Sequence, residues 1–232
     1  VQRFIGIGNT DGADHLTFFH LMAQQAIGAL VIGQRTHGRD NGEAMPLLII
    51  QLLDHLLTAL AILTDQKGLA MASRRITVST CGIVPNMQPL GEKTNVNLAI
   101  SLHGVDDDTR NALMPINRRY PIADLLEACR NYPMRKRKRI MFEYLLLDGI
   151  NDSDAEARQL TRILRKIPCK INLLAFNACE GIPFRPSPPE RILAFQDILR
   201  AAHYSVFIRS SRGGDISAAC GQLAGALSGD KQ

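Results

Sequence analysis

No two of the five cysteines, Cys81, Cys129, Cys169, Cys179 and Cys220, stand in C-x-x-C spacing, and their number is odd. That argues against a disulfide framework and for a reducing, cytoplasmic setting. The six histidines form no H-x-H or H-E-x-x-H pair, which argues against zinc. There is no tryptophan, and aromatic residues make up 5% of the chain. The start, VQRFIGIGNT, has no basic segment leading into an apolar core, so it does not read as a secretory signal. It also lacks an initiator Met, as a fragment would. The most apolar run, PLLIIQLLDHLLTALAIL (46–63), carries Asp54 and His55 at its centre. A charge there is expensive in a bilayer, so a buried helix and no membrane contact are expected. There is no internal repeat and no low-complexity tract.

What is present describes an ordinary globular protein: 232 residues, 46% hydrophobic and 21% charged. A chain of this length suits one domain or a single barrel, and burial of roughly 70–75% of its unfolded surface supplies a core without staples. The net charge of +5 is compatible with a nucleic-acid partner and is weak evidence by itself.

From residue 74 onward short β-branched runs alternate with helical periodicity. Strands are expected at RRITVST (74–80), VNLAISLH (96–103), RIMFEYLLLD (139–148), KINLLAFN (170–177) and YSVFIRS (204–210). Helices are expected at 121–132, where Pro121 suits the first position and Ile122, Leu125, Leu126 and Cys129 share a face. A second helix, 153–167, opens with a Ser153/Glu156 capping box, and a third covers 188–203. This alternation means a parallel sheet, either open and doubly wound or a (β/α) barrel. Residues 1–45 show little periodicity beyond 21–33 and stay unassigned; 46–232 form the barrel unit.

Polar residues sit where the strands end: Ser79, then Ser101 and His103, then Asp148 after Glu143, then Asn177. In a (β/α) barrel the carboxyl ends of the strands converge on one mouth, where chemistry takes place. Hydroxyl, imidazole and amide groups suit a polar small molecule better than a hard metal cage. Turns also begin with polar residues, so any one of these positions has a simpler reading. The cations 135–139, RKRKR, precede a strand, on the face opposite the mouth. They read either as a solvated loop or as a contact for RNA phosphates. Cys220 lies in ISAACGQLAG after RSSRGGD, among residues too small to bury it. Arg209 and Arg212 could lower its pKa and expose a nucleophile; an inert small hydrophobe is the alternative. Cys81 is a weaker candidate.

RRITVSTCGIVP, NLAISLHGVDDDTRNALMPINRRYPI, FEYLLLDGIND, PCKINLLAFN and RSSRGGDISAACGQLAG together resemble the radical-SAM 23S rRNA adenine-C2 methyltransferase family (RlmN/Cfr-like), in order over residues 54–227. The resemblance implies an α/β fold, a partial (β/α) TIM-like barrel of the radical-SAM type, N-terminally incomplete. It implies that Cys220 is the catalytic residue that accepts a methyl group from S-adenosylmethionine before transfer to the adenine carbon. It implies cofactor contacts at Gly42, Glu43, Ser79, Ser101, Leu102, His103 and Asn177. The implied partner is 23S rRNA, with tRNA as a further substrate, and the chain is expected to act as a cytoplasmic monomer. The family's [4Fe-4S] cluster is held by C-x-x-x-C-x-x-C, which occurs nowhere in this sequence, so no metal ligand is assigned. The family's Gly-Glu-Pro is interrupted here by Ala44 and Met45, and 1–41 do not match. A catalytically silent, truncated relative that keeps RNA or cofactor binding is therefore the alternative. An aldolase or lyase barrel is the least supported reading, because Lys170 stands at a strand start.

Overall fold

Six short apolar segments pair side by side in chain order: β1 (Leu16–Thr17), β2 (Ile76–Thr80), β3 (Asn97–Ser101), β4 (Ile140–Leu146), β5 (Cys169–Ala175) and β6 (Val206–Arg209). The computed structural model describes residues 16–17, 44–177 and 183–209. Every pairing is parallel. Among the described residues the helices are α1 (Ala44–Thr64), α2 (Val84–Lys93), α3 (Asp107–Leu113), α4 (Ile122–Asn131), α5 (Asp154–Ile163) and α6 (Pro189–Ala201). A doubly wound sheet reverses its strand order at a switch point. The unreversed order here is that of a partial (β/α) barrel, the architecture that the resemblance implied and one of the two that alternation allowed.

The strands divide their side chains by alternation. In β4, Ile140, Phe142, Tyr144 and Leu146 are fully buried on the helix side. There the Tyr144 ring stacks on Phe195 of α6 with centroids 5.5 Å apart. Leu125, Leu160, Leu164 and Leu199 complete this layer, and Ile122, Leu126 and Cys129 join it as the periodicity predicts. The opposite, concave face carries Glu143. Ser79 Oγ donates to Glu143 Oε2 at 3.2 Å although β3 lies between their strands. Neighbouring strands stand about 4.8 Å apart, so a flat sheet would leave β2 and β4 about 10 Å apart. Ala99, in register with Ser79, leaves the space, and the curl of the sheet closes the rest.

Local signals account for most boundaries. Ser153 and Glu156 cap α5 reciprocally, and Asp106 accepts from Thr109 N–H at 2.7 Å to start α3. Three expectations need correction. Pro121 is the N-cap of α4 rather than its first helical residue. Helix α5 stops at Ile163, because the chain turns through Lys166 at φ +75 to bring Ile167 under the sheet. Helix α1 is not buried as a whole. Leu53 and Leu60, two turns apart, are buried, while Asp54, His55 and Ile62 face solvent. Among the described residues no helix is long and apolar enough to cross a membrane.

A Cβ added at Gly91 in α2 would meet the Pro133 ring at 2.7 Å and Tyr132 Cε2 at 2.9 Å. Alanine favours a helix by about 1 kcal/mol over glycine, but neither ring can swing aside. Gly91→Ala is therefore expected to lower stability by about 1–2 kcal/mol, read from the urea midpoint, against the sign that helix propensity alone would give.

Candidate functional site

The concave face carries a polar row across its strands. Ser101 of β3, Glu143 of β4 and Asn172 of β5 stand in mutual register, with Ser79 of β2 joined to Glu143 through its hydroxyl. All four are buried. Asn172 Nδ2 donates to Met141 Sδ at 2.8 Å. A buried carboxylate surrounded by hydroxyl and amide groups is unusual inside a sheet, where apolar packing would cost less. Glu143 lies three residues before the carboxyl end of β4, and Ser101 is the last residue of β3.

Above this row the chain leaves β3 through Ser101, Leu102 and His103. His103 has φ +58, and the backbone bend is held from several sides. Its imidazole Nδ1 accepts from Leu145 N–H at 3.1 Å, taking the place of a ladder carbonyl. In that geometry the neutral ring carries its proton on Nε2. Asn151 Nδ2 donates to His103 O and to Leu145 O, each at 2.8 Å, while its Oδ1 accepts from Leu147 N–H at 2.8 Å. One buried amide thus stitches the end of β3 to the end of β4.

Arg110 performs the matching task between β2 and β3. Its side chain is wholly buried. Nε donates to Leu102 O at 3.1 Å, and Nη2 donates to Cys81 O at 2.7 Å and to Ser101 O at 3.3 Å. Nη1 donates to Asn117 Oδ1 at 2.7 Å. Asn117 Nδ2 in turn donates to Asp107 Oδ1 at 2.8 Å, which also accepts from Ile122 N–H at 2.9 Å. Burial pushes the guanidinium down to about 10, so it stays charged at neutral pH. Two glycines make room for this clamp. A Cβ on Gly104 would crowd Arg110 at 3.1–3.3 Å, and Gly82, at φ +97, would press one on Leu125 at 2.8 Å.

The structure thus brings Ser79, Ser101 and His103 to one end of the sheet. Leu102 has its side chain in the core and enters the site through its backbone, N–H to Glu143 O and C=O to Arg110. Asn177 stands two residues past β5, half-buried. Gly42, Glu43 and Cys220 lie outside the described residues, as do Cys179 and Arg212. Asp148, at the end of the β4 loop, pairs with Arg185 at 3.2 Å on the surface. Sequence reading gave no role to Glu143 and missed Arg110, Asn117 and Asn151. A lone arginine on a short helix carries no periodic signal, and the DGIND loop hides Asn151 among turn formers.

The described cysteines do not fit an iron–sulfur cluster. Cluster ligands are thiolates. Cys81, Cys129 and Cys169 are all buried free thiols. Burial raises Cys81, with Arg110 offsetting part of the shift, and pushes Cys129 and Cys169 up to about 12. Burial and the raised pKa make the Cys81 thiol a poorer nucleophile than a free one. Among the described residues no group of three or more His, Cys, Asp or Glu could hold a metal ion.

Comparison with known proteins gives a consistent picture. The chain is 65% identical over 172 residues to the dual-specificity RNA methyltransferase RlmN of Desulfotalea psychrophila, covering 74% of this chain and 48% of that protein. It is 46% identical over 223 residues to the RlmN of Methylorubrum extorquens, covering 90% and 52%. A radical SAM methyltransferase from Sphaerobacter thermophilus superposes with a TM-score of 0.71 at 46% identity, covering 75% of this chain and 51% of the other. The chain spans about half the length of the curated relatives it matches. No protein-family profile matches it.

Arg110→Met keeps the volume but removes every donor from three backbone carbonyls and Asn117. It is expected to cost about 3–5 kcal/mol in urea unfolding, with Arg110→Lys recovering only part, since one ammonium cannot reproduce the fork. The Asp107 carboxyl is held below its ordinary 3.8 by the Ile122 N–H first and by Asn117 second. A depressed carboxyl stabilises the fold above its unfolded value and loses that contribution as pH falls through the folded one. Acid unfolding of the native chain below about pH 4 is therefore expected to be steeper than that of Asp107→Asn, followed by circular dichroism.

Proposed function

Because the chain belongs to the RlmN-like radical-SAM methyltransferase family, we propose that its mouth binds S-adenosylmethionine. We propose further that it serves methylation of C2 of an adenine in 23S rRNA, with tRNA as a further substrate. The observation that carries this reading is the polar mouth: Ser79, Ser101 and His103 converge at the carboxyl ends of adjacent strands over a buried Glu143. Hydroxyls, an amide and an imidazole supply the donors and acceptors that a ribose and an amino-acid group require. Asn177 extends the set from β5, and Gly42 and Glu43 are assigned to the cofactor's amino group.

Cys220 is assigned the covalent role. Its thiolate attacks the sulfonium methyl of S-adenosylmethionine, so a sulfur–carbon bond forms as the methyl–sulfonium bond breaks. S-adenosylhomocysteine leaves with the electron pair, and the thiol proton goes to solvent. Onward transfer to an unactivated ring carbon is the radical chemistry that the family's [4Fe-4S] cluster supplies, and this sequence holds no C-x-x-x-C-x-x-C to carry it. That absence favours a second reading for the chain alone, a catalytically silent relative that retains cofactor and RNA binding. In either case the protein works as a cytoplasmic monomer.

Calorimetric titration with S-adenosylmethionine tests the mouth. Saturable binding is expected, weakened about tenfold or more by Ser101→Val, which removes one hydroxyl and leaves its partner unpaired. Absence of binding by the native chain would refute the proposal. Intact mass and peptide mapping of chain made in cells then separate the two readings. A one-methylene increment on Cys220 supports the enzyme, and an unmodified thiol supports the silent relative.

A further inference from the structure

The amino ends of the strands carry a charge pattern that the mouth does not use. The segments feeding β4, β5 and β6 are 132–139, 164–168 and 202–205. They contain seven Lys and Arg and no Asp or Glu. The loop leaving β4 at the other end, 147–153, contains Asp148 and Asp152 and no Lys or Arg. The rim before β4, β5 and β6 thus carries cations without acids, while the exposed Arg118, Arg119 and Arg185 stand beyond the carboxyl ends of the strands. Two of the seven have structural work: Lys138 Nζ donates to Asn95 O and Val96 O, and Arg139 Nη1 donates to Ser205 Oγ at 3.2 Å. Arg135, Lys136, Arg137, Arg165 and Lys166 are exposed, and no described carboxylate pairs with them.

Backbone conformation adds a second, independent observation. Arg137, Lys166 and His203 have φ of +70, +75 and +64, each in the turn just before β4, β5 and β6. Glycine takes this conformation without steric cost, and asparagine is the usual substitute. Here all three turns hold a basic side chain instead. Attraction to a helix carboxyl end accounts for Lys166 and His203, which follow α5 and α6. It does not account for Arg137, since α4 ends at Asn131, well before that turn. Strands about 4.8 Å apart place the three turns in a row of about 10 Å, the scale of a few successive phosphates.

We propose that this rim is a second anchoring surface for an RNA phosphodiester backbone, on the face opposite the mouth. The inference rests on the RNA-directed reading above and deepens it: the mouth takes one nucleotide, while the rim holds a distant part of the same large, folded RNA. Because cations contact phosphates rather than base edges, this anchoring is independent of sequence and strongly dependent on salt.

The test measures binding of the full chain to a short fluorescein-labelled RNA duplex of unrelated sequence by anisotropy across a KCl series. The slope of log affinity against log salt is expected to fall by about 2–3 in R135Q/K136Q/R137Q, since each lost duplex phosphate contact removes about 0.9. Arg137→Gly relieves the backbone and removes one cation. It is expected to leave Tm equal or higher while weakening RNA binding, a pair of effects that a purely structural role would not give. An unchanged salt slope in the triple variant overturns the proposal. So does binding to phosphatidylserine vesicles that is lost in the triple variant while RNA binding is kept, which would assign the rim to a lipid surface. Titration with S-adenosylmethionine on the same samples separates this inference from the function it rests on. A reduced salt slope with no cofactor binding upholds the rim and refutes the mouth. Cofactor binding with an unchanged slope does the reverse.

Discussion

A single buried guanidinium holds the carboxyl ends of β2 and β3 in place. Arg110 is taken wholly out of water, and a lone cation in such a place would be strongly unfavourable. Four directed hydrogen bonds offset that cost, three of them to backbone carbonyls at points where the ladder has ended and no N–H of a neighbouring strand is left to serve them. Arginine suits the task because its fork is planar and its charge persists at any physiological pH. The same side chain ties α3, the turn at Asn117 and the start of α4 to the sheet through Asp107. The ends of β2 and β3 and the segment from α3 to α4 are thus held by one connected hydrogen-bond network.

Curvature is the second constraint. The Ser79–Glu143 bond reaches over β3 and requires that the concave side of the sheet be polar and closely spaced, while the convex side is filled by aliphatic and aromatic side chains against the helices. Alternation along each strand makes this division possible, since each residue step reverses the face. The polar row and the core are thus two readings of the same strands. A residue that would look misplaced in β4, the glutamate between Phe142 and Tyr144, belongs to the side that the helices do not cover.

Acid and base are separated along β4. The loop that leaves it carries Asp148 and Asp152, and the turn that enters it carries the cations 135–139. The described cysteines take no part in either. Burial keeps them protonated, and they pack as small apolar side chains.

By itself the sequence determined the element types, their order and the residues at the strand ends. Those depend on local periodicity, capping residues and turn formers, all of which act within a few positions of one another. Thus the capping box at Ser153, the apolar face of α4 and the alternation in β4 were legible. The family motifs named Ser79, Ser101, His103 and Asn177 in the same linear way. Alternation alone left a barrel and a doubly wound sheet open, because strand order is a long-range property that no local pattern encodes; the family motifs implied the barrel, and the strand order agrees. The burial of Leu53 and Leu60 in α1 was decided by the tertiary structure, since the apolar run is nearly continuous and its neighbours determine which side is covered. The roles of Arg110, Asn151 and Glu143 emerged last. Each acts on groups brought together from separate strands, and a buried polar group has a partner only once the chain has closed around it.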